Sequence, residues 1–124
     1  MNKILKETVK HYTQIVGFEI AKKLKDAGYP QNIGREWYNA IGVLIRALPM
    51  REDEVAAPTY AEVFDWFMDK GYAISVTYFD LNSFCGYLVT LKLKDSDYAT
   101  EPCDSWHEAA DSAIEVALEM IKKD

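Results

Sequence analysis

A chain of 124 residues and 14.2 kDa, with 49% hydrophobic and 27% charged residues, has the composition of an ordinary globular protein and enough length for one core but not two. Two cysteines, Cys85 and Cys103, argue against a disulfide scaffold or a zinc knuckle, so reduced thiols are expected. The net charge of −6 is unevenly spread. Residues 1–34 hold six lysines against Glu7, Glu19 and Asp26, a balance of +3 that leaves −9 on the rest.

An acidic body repels phosphate backbones, so nucleic acid is not expected as a partner unless it is met by the lysine-bearing N-terminus. Lysines scattered along a helix are read as a solvated face. No apolar run approaches the roughly 18 residues of a membrane span, and MNKILKETVK lacks an apolar signal core, so a cytoplasmic protein without membrane contact is expected.

In chain order, Ile4, Leu5, Val9 and Tyr12 share one helical face, which the β-branched Thr13, Ile15 and Val16 and then Gly17 interrupt. The periodicity returns at Phe18, Ile20, Ala21 and Leu24. Gly28 then suits a left-handed helix end and Pro30 blocks continuation, so a helix is predicted over residues 18–27. Lys22, Lys23 and Lys25 fall near its carbonyl end, where positive charge is favourable.

Between Arg35 and Met50, the pairs Trp37-Tyr38 and Val43-Leu44-Ile45 flank Asn39-Ala40-Ile41-Gly42, a sequence suited to a tight turn, and a small hairpin is predicted. Arg51-Glu52-Asp53-Glu54 reads as an exposed linker. Its carboxylates lack the alternating oxygen ligands and glycine of a calcium loop, so no metal is assigned there.

Pro58-Thr59-Tyr60-Ala61-Glu62 is a capping box that opens a helix with Tyr60, Val63, Phe64 and Phe67 on its apolar stripe and Trp66 at the edge; Lys70-Gly71 ends it. Residues 72–79 alternate as a strand, and residues 80–83 connect it to a second strand in which Cys85, Tyr87, Val89, Leu91 and Leu93 face one way. After Asp95-Ser96-Asp97 a weak third strand, Tyr98 to Glu101, is expected at the sheet edge, because Pro102 cannot donate to a ladder. Ser105-Trp106-His107-Glu108 repeats the capping logic, and Trp106, Ala110, Ala113, Ile114, Ala117, Leu118 and Ile121 form the buried face of the last helix.

The expected fold is therefore α+β. An α-β-β-β-α core over residues 58–124 carries helices on one face of a three-stranded antiparallel sheet, with a helical segment at 1–34 and a hairpin and linker at 35–57, all in one domain.

Chemistry-bearing residues are few. Cys103 and His107, four residues apart around a helix N-terminus, are the one nucleophile candidate, since the helix dipole and an imidazole can lower a thiol pKa. They lack a third group, and the pair is set below an ordinary helix start. His107 with Asp111 reads as a surface hydrogen bond rather than half of a metal site, and His11 stands without a partner pattern. No phosphate loop, paired Cys-x-x-Cys or serine elbow is present. No catalytic, cofactor-binding or metal-ligating residue is assigned.

The α-β-β-β-α order, with Glu108-Ala109-Ala110 and Ala113, Ala117 and Leu118 in the last helix, resembles a double-stranded RNA-binding domain in outline. That family grips phosphates with lysines at the start of the last helix, and none stands in Ser105 to Ala110 here. A second resemblance lies in Phe18 to Pro30, in Trp37-Tyr38-Asn39 with Gly42, in Ala57 to Trp66, and in Trp106-His107-Glu108-Ala109 with Ala113-Ile114 and Ala117-Leu118. Through these the chain resembles small uncharacterised proteins of Bacteroidetes-type gut bacteria and their phages or mobile elements. Where those proteins usually carry Ser or Thr before the Phe-Glu step, this chain has Gly17, a weaker cap. The resemblance implies no activity, cofactor or catalytic residue. The function expected is a non-enzymatic accessory or protein-interaction protein, self-associating through the edge strand or exposed aromatics. The alternatives are a nucleic-acid binder acting through the basic N-terminus and a thiol enzyme at Cys103.

Overall fold

The computed structural model describes residues 11–31, 36–46, 51, 53–81, 84–92, 97–99 and 103–123. In chain order these form α1 (Phe18–Asp26), β1 (Glu36–Tyr38), β2 (Leu44–Arg46), β3 (Val55–Ala56), α2 (Tyr60–Asp69), β4 (Ala73–Leu81), β5 (Phe84–Lys92), β6 (Asp97–Ala99) and α3 (Trp106–Lys123). The α+β class and the α-β-β-β-α order of the C-terminal half are as the sequence predicts. His11 and Tyr12 have helical backbone, while the positions Ile4, Leu5 and Val9 of the expected N-terminal helix lie outside the described residues.

Both early helix ends follow from one glycine each. At the end of α1, Gly28 takes φ 97°, the amide of Tyr29 donates to Leu24 O at 2.9 Å and that of Gly28 to Lys25 O at 3.1 Å. At the end of α2, Gly71 takes φ 93°, with Tyr72 N bonded to Phe67 O and Gly71 N to Met68 O, both at 2.9 Å. These paired bonds satisfy carbonyls that a helix terminus leaves open. Gly17 caps α1 with no side-chain bond, whereas Thr59 and Glu62 bond reciprocally at the start of α2.

The sheets are two. β4-β5-β6 is antiparallel, with Ile74 opposite Leu91, Tyr78 opposite Tyr87 and Leu91 opposite Tyr98. β6 lies at an edge as expected, although it starts at Asp97, a residue assigned to the preceding turn from sequence. β4 and β5 pair out to Leu81 and Phe84, so Asp80 and Leu81 belong to the ladder rather than to the connection. Asn82, Ser83, Asp95, Ser96 and Pro102 lie outside the described residues, as do the side chains of β5 other than Tyr87.

The second sheet, β2-β1-β3, corrects the linker. The hairpin of β1 and β2 is as predicted, with Trp37 opposite Ile45. Asn39 closes it by accepting at Oδ1 from the amides of Ile41 (3.1 Å) and Val43 (2.9 Å), while Gly42 takes φ 86°. Val55 and Ala56 then add a third strand against Tyr38 and Trp37. Glu54 is buried, its carboxylate accepting from the Arg51 amide at 2.6 Å. A segment rich in charge reads as linker because local polarity hides a two-residue pairing that only tertiary contact supports.

One hydrophobic cluster joins the faces of all three helices to Tyr72, Ile74 and Val76 of the sheet. Ser75 and Thr77, which alternate with Ile74 and Val76 on β4, are exposed, so the helices cover one face and leave the other wet. Ala109, Ala110, Ala113 and Ala117 are fully buried on α3, and these small side chains let the helix axis approach the strands closely.

Candidate functional site

The polar groups of interest meet where residues 11–16 cross the starts of α2 and α3. Ile15 bridges Thr59, the amide of Tyr60 donates to Gln14 O and that of Val16 to Pro58 O, both at 3.0 Å. The capping box places Tyr60 first on α2, and Ser105 Oγ, accepting from Glu108 N at 3.1 Å, starts α3 at Trp106 and His107. His11 and Gln14 are thereby carried to the first turn of a helix more than 90 residues away in sequence.

Trp106, 1% exposed, is the floor of this site. His11 stacks on it at 5.1 Å and 15°, Tyr60 meets it edge-on at 5.0 Å and 90°, and Tyr12 does so at 5.2 Å. His107 stands edge-on to His11, with ring centroids 4.9 Å apart. Gln14 Oε1 is hydrogen-bonded to His107 Nε2 and lies 3.5 Å from His11 Nδ1, so one amide oxygen serves both imidazoles. A neutral ring donates from the nitrogen facing that oxygen. Among the described residues, the buried Trp106 Nε1 and Trp37 Nε1 have no hydrogen-bond partner.

Behind the imidazoles, Tyr60 Oη donates to Asp111 Oδ1 at 2.7 Å. Burial, and then this bond, push the Tyr60 hydroxyl pKa far up. Burial also raises the Asp111 carboxyl pKa, opposed by the Tyr60 hydrogen bond and by His107. Burial lowers the pKa of His107; His11 lowers it further and Asp111 opposes. The site favours neutral imidazole at His107.

The pairings expected from sequence are redistributed. His107 bonds to Gln14 and Asp111 to Tyr60, in place of the expected surface bond between His107 and Asp111. Cys103 is half-buried and its backbone exchanges two 2.8 Å bonds with Tyr87. Burial raises its thiol pKa, and Glu108 and Asp104 raise it further, opposite to the shift an attacking thiolate requires. Among the described residues no group of three or more His, Cys, Asp or Glu side chains is placed to hold a metal ion, and no described helix is long and apolar enough to cross a membrane. The sequence reading missed His11, Gln14 and the Tyr60 hydroxyl as one cluster, because no local pattern links them.

Two other surface features stand out. A groove of about 220 Å³ between α1 and α3 is lined by Lys23, Asp26, Glu115, Leu118, Glu119 and Lys122. Its charges are already paired in part, Lys23 with Glu115 at 2.7 Å and Lys122 with Glu119 at 3.6 Å. At the hairpin tip, Ile41 is 82% and Val43 52% exposed, and the Phe18 ring supports Gly42 from beneath. Comparison with protein-family models, with curated proteins and with solved structures gives no match to the chain. The class defined by the coordinates is an α+β fold of two small antiparallel sheets and three helices among the described residues.

Proposed function

We propose that this chain is a non-enzymatic interaction protein that associates with a second copy of itself through the β1–β2 hairpin tip. The observation that carries the reading is the placement of Ile41 and Val43: two large apolar side chains exposed to water on either side of Gly42, in the turn that Asn39 closes. Adjacent exposed aliphatics on an ordered scaffold gain free energy when a partner covers them. The cluster around Trp106 supports the non-enzymatic part, since the Tyr60 hydroxyl is engaged by the Asp111 carboxylate, the imidazoles by the Gln14 amide oxygen, and the Cys103 thiol pKa is raised. An accessory role in a phage or mobile element rests on sequence resemblance alone.

The nucleic-acid alternative draws little from α1. Lys22 pairs with Glu19 at 3.1 Å, Lys23 pairs with Glu115, and Lys25 donates to Glu54 O at 3.0 Å, so these lysines are engaged within the fold. Light scattering after gel filtration, over a range of micromolar concentrations, tests the self-association. A mass rising toward twice 14.2 kDa, and lost in an Ile41→Asp, Val43→Lys double variant, supports it; a monomer throughout refutes it.

A further inference from the structure

Residues 11–16 are tied to the body by backbone bonds at Val16 and Tyr60 and by the shared contact of His11 and His107 with Gln14. The rings meet edge to face, with centroids 4.9 Å apart, over an indole that is almost completely buried. One accepting oxygen can serve two neutral rings, but two imidazolium ions at this separation repel, and each is only half-exposed to water while His11 covers Trp106. We propose that His11 and His107 form an acid-sensitive latch, which holds residues 11–16 on the starts of α2 and α3 and releases them when both rings take up protons.

Among the described residues, the surrounding charges favour release over tolerance of a doubly charged pair. From the 11–16 segment the titratable neighbours are His11 and Tyr12; from α2, Tyr60; from α3, Asp111, with Glu115 acting on it. Asp111 is the acid acting on His107, and its carboxylate is already engaged by the Tyr60 hydroxyl. His107 also sits in the first turn of α3, where the helix dipole opposes positive charge. Opening uncovers the Trp106 face together with Tyr60 and Phe64, an aromatic surface that is closed at neutral pH.

Amide hydrogen exchange on the intact chain, read by NMR at about pH 7.5 and about pH 5 and corrected for intrinsic rates, tests this. The Val16 and Tyr60 amides should lose protection on the order of tenfold at the lower pH, because opening is coupled to proton uptake, while Ala113 and Ala117 in α3 keep theirs. His11→Phe retains a ring over Trp106 and should abolish most of that pH dependence. Equal protection at both pH values, or an unchanged pH response in His11→Phe, overturns the latch. Should that variant not fold, titration of the two imidazole C–H signals in the wild-type chain decides. Protonation in separate steps, the second accompanied by loss of the Val16 and Tyr60 protection, supports the latch. Joint protonation with protection retained overturns it.

Discussion

Tyr60 and Asp111 join the first turn of α2 to the second turn of α3 through a 2.7 Å hydrogen bond from a hydroxyl to a partly buried carboxylate. Fifty-one residues separate them in sequence. The bond sets the relation of the two helices at the end where residues 11–16 dock, and Trp106 packs edge-on against the same tyrosine. Tyr60→Phe leaves ring packing intact but strands the carboxylate, and should cost about 1 to 3 kcal/mol. Urea unfolding of the variant beside wild type measures this, and a change below experimental error would remove the bond from the account of helix orientation.

Asp111 makes a second, pH-dependent prediction. Its folded pKa lies above the ordinary 3.8 because of burial, so between 3.8 and the folded value the folded chain binds more protons than the unfolded one. The favourable contribution is fully present below 3.8 and is lost as pH rises through the folded pKa. Asp111→Asn keeps a carbonyl oxygen for Tyr60 and removes the ionisation. It should therefore be more stable than wild type near neutral pH, with the difference shrinking as pH falls toward about 4. Denaturation midpoints across that range give the comparison.

Gly42 is needed for two independent reasons. Its φ of 86° is costly for any side chain, and a Cβ there would meet Phe18 Cδ2 at 2.9 Å. Gly42→Ala should lose about 1 to 2 kcal/mol and loosen the tip that carries Ile41 and Val43. Thermal unfolding reads the first effect, and light scattering, through weakening of the proposed self-association, reads the second.

The capping box of α2 is open to a simpler test. Thr59 Oγ1 accepts from Glu62 N at 3.2 Å, and Glu62 Oε1 accepts from Thr59 N at 2.9 Å. Thr59→Ala should cost about 1 kcal/mol in chemical denaturation.

Cys103 should react slowly. With its pKa raised above the ordinary 9.0, little thiolate exists near neutrality. Iodoacetamide labelling followed by peptide mapping should show Cys103 reacting more slowly than a free thiol in the same buffer; faster labelling would return the thiol-enzyme reading to contention.

Much of the architecture was legible because its signals are local. A capping box at Thr59, a glycine after each of two helices, and the Asn39 to Gly42 turn all act within a few residues, where backbone sterics and hydrogen bonding decide the outcome. Period-2 alternation over residues 72–79 marked this strand for the same reason, and packing buries the side that carries Tyr72, Ile74 and Val76. β3 was not legible, because two residues carry no periodicity and pair only where Trp37 and Tyr38 are brought to them.

What the sequence determined by itself was the set of rods and ribbons and which side of each avoids water, since both follow from residue spacing along a regular backbone. Only the tertiary structure decided that His11, Gln14, Tyr60, His107 and Asp111 form one cluster over Trp106. Convergence of that kind depends on how elements pack across long stretches of chain, and the protonation states of these groups follow from the shared burial that packing creates.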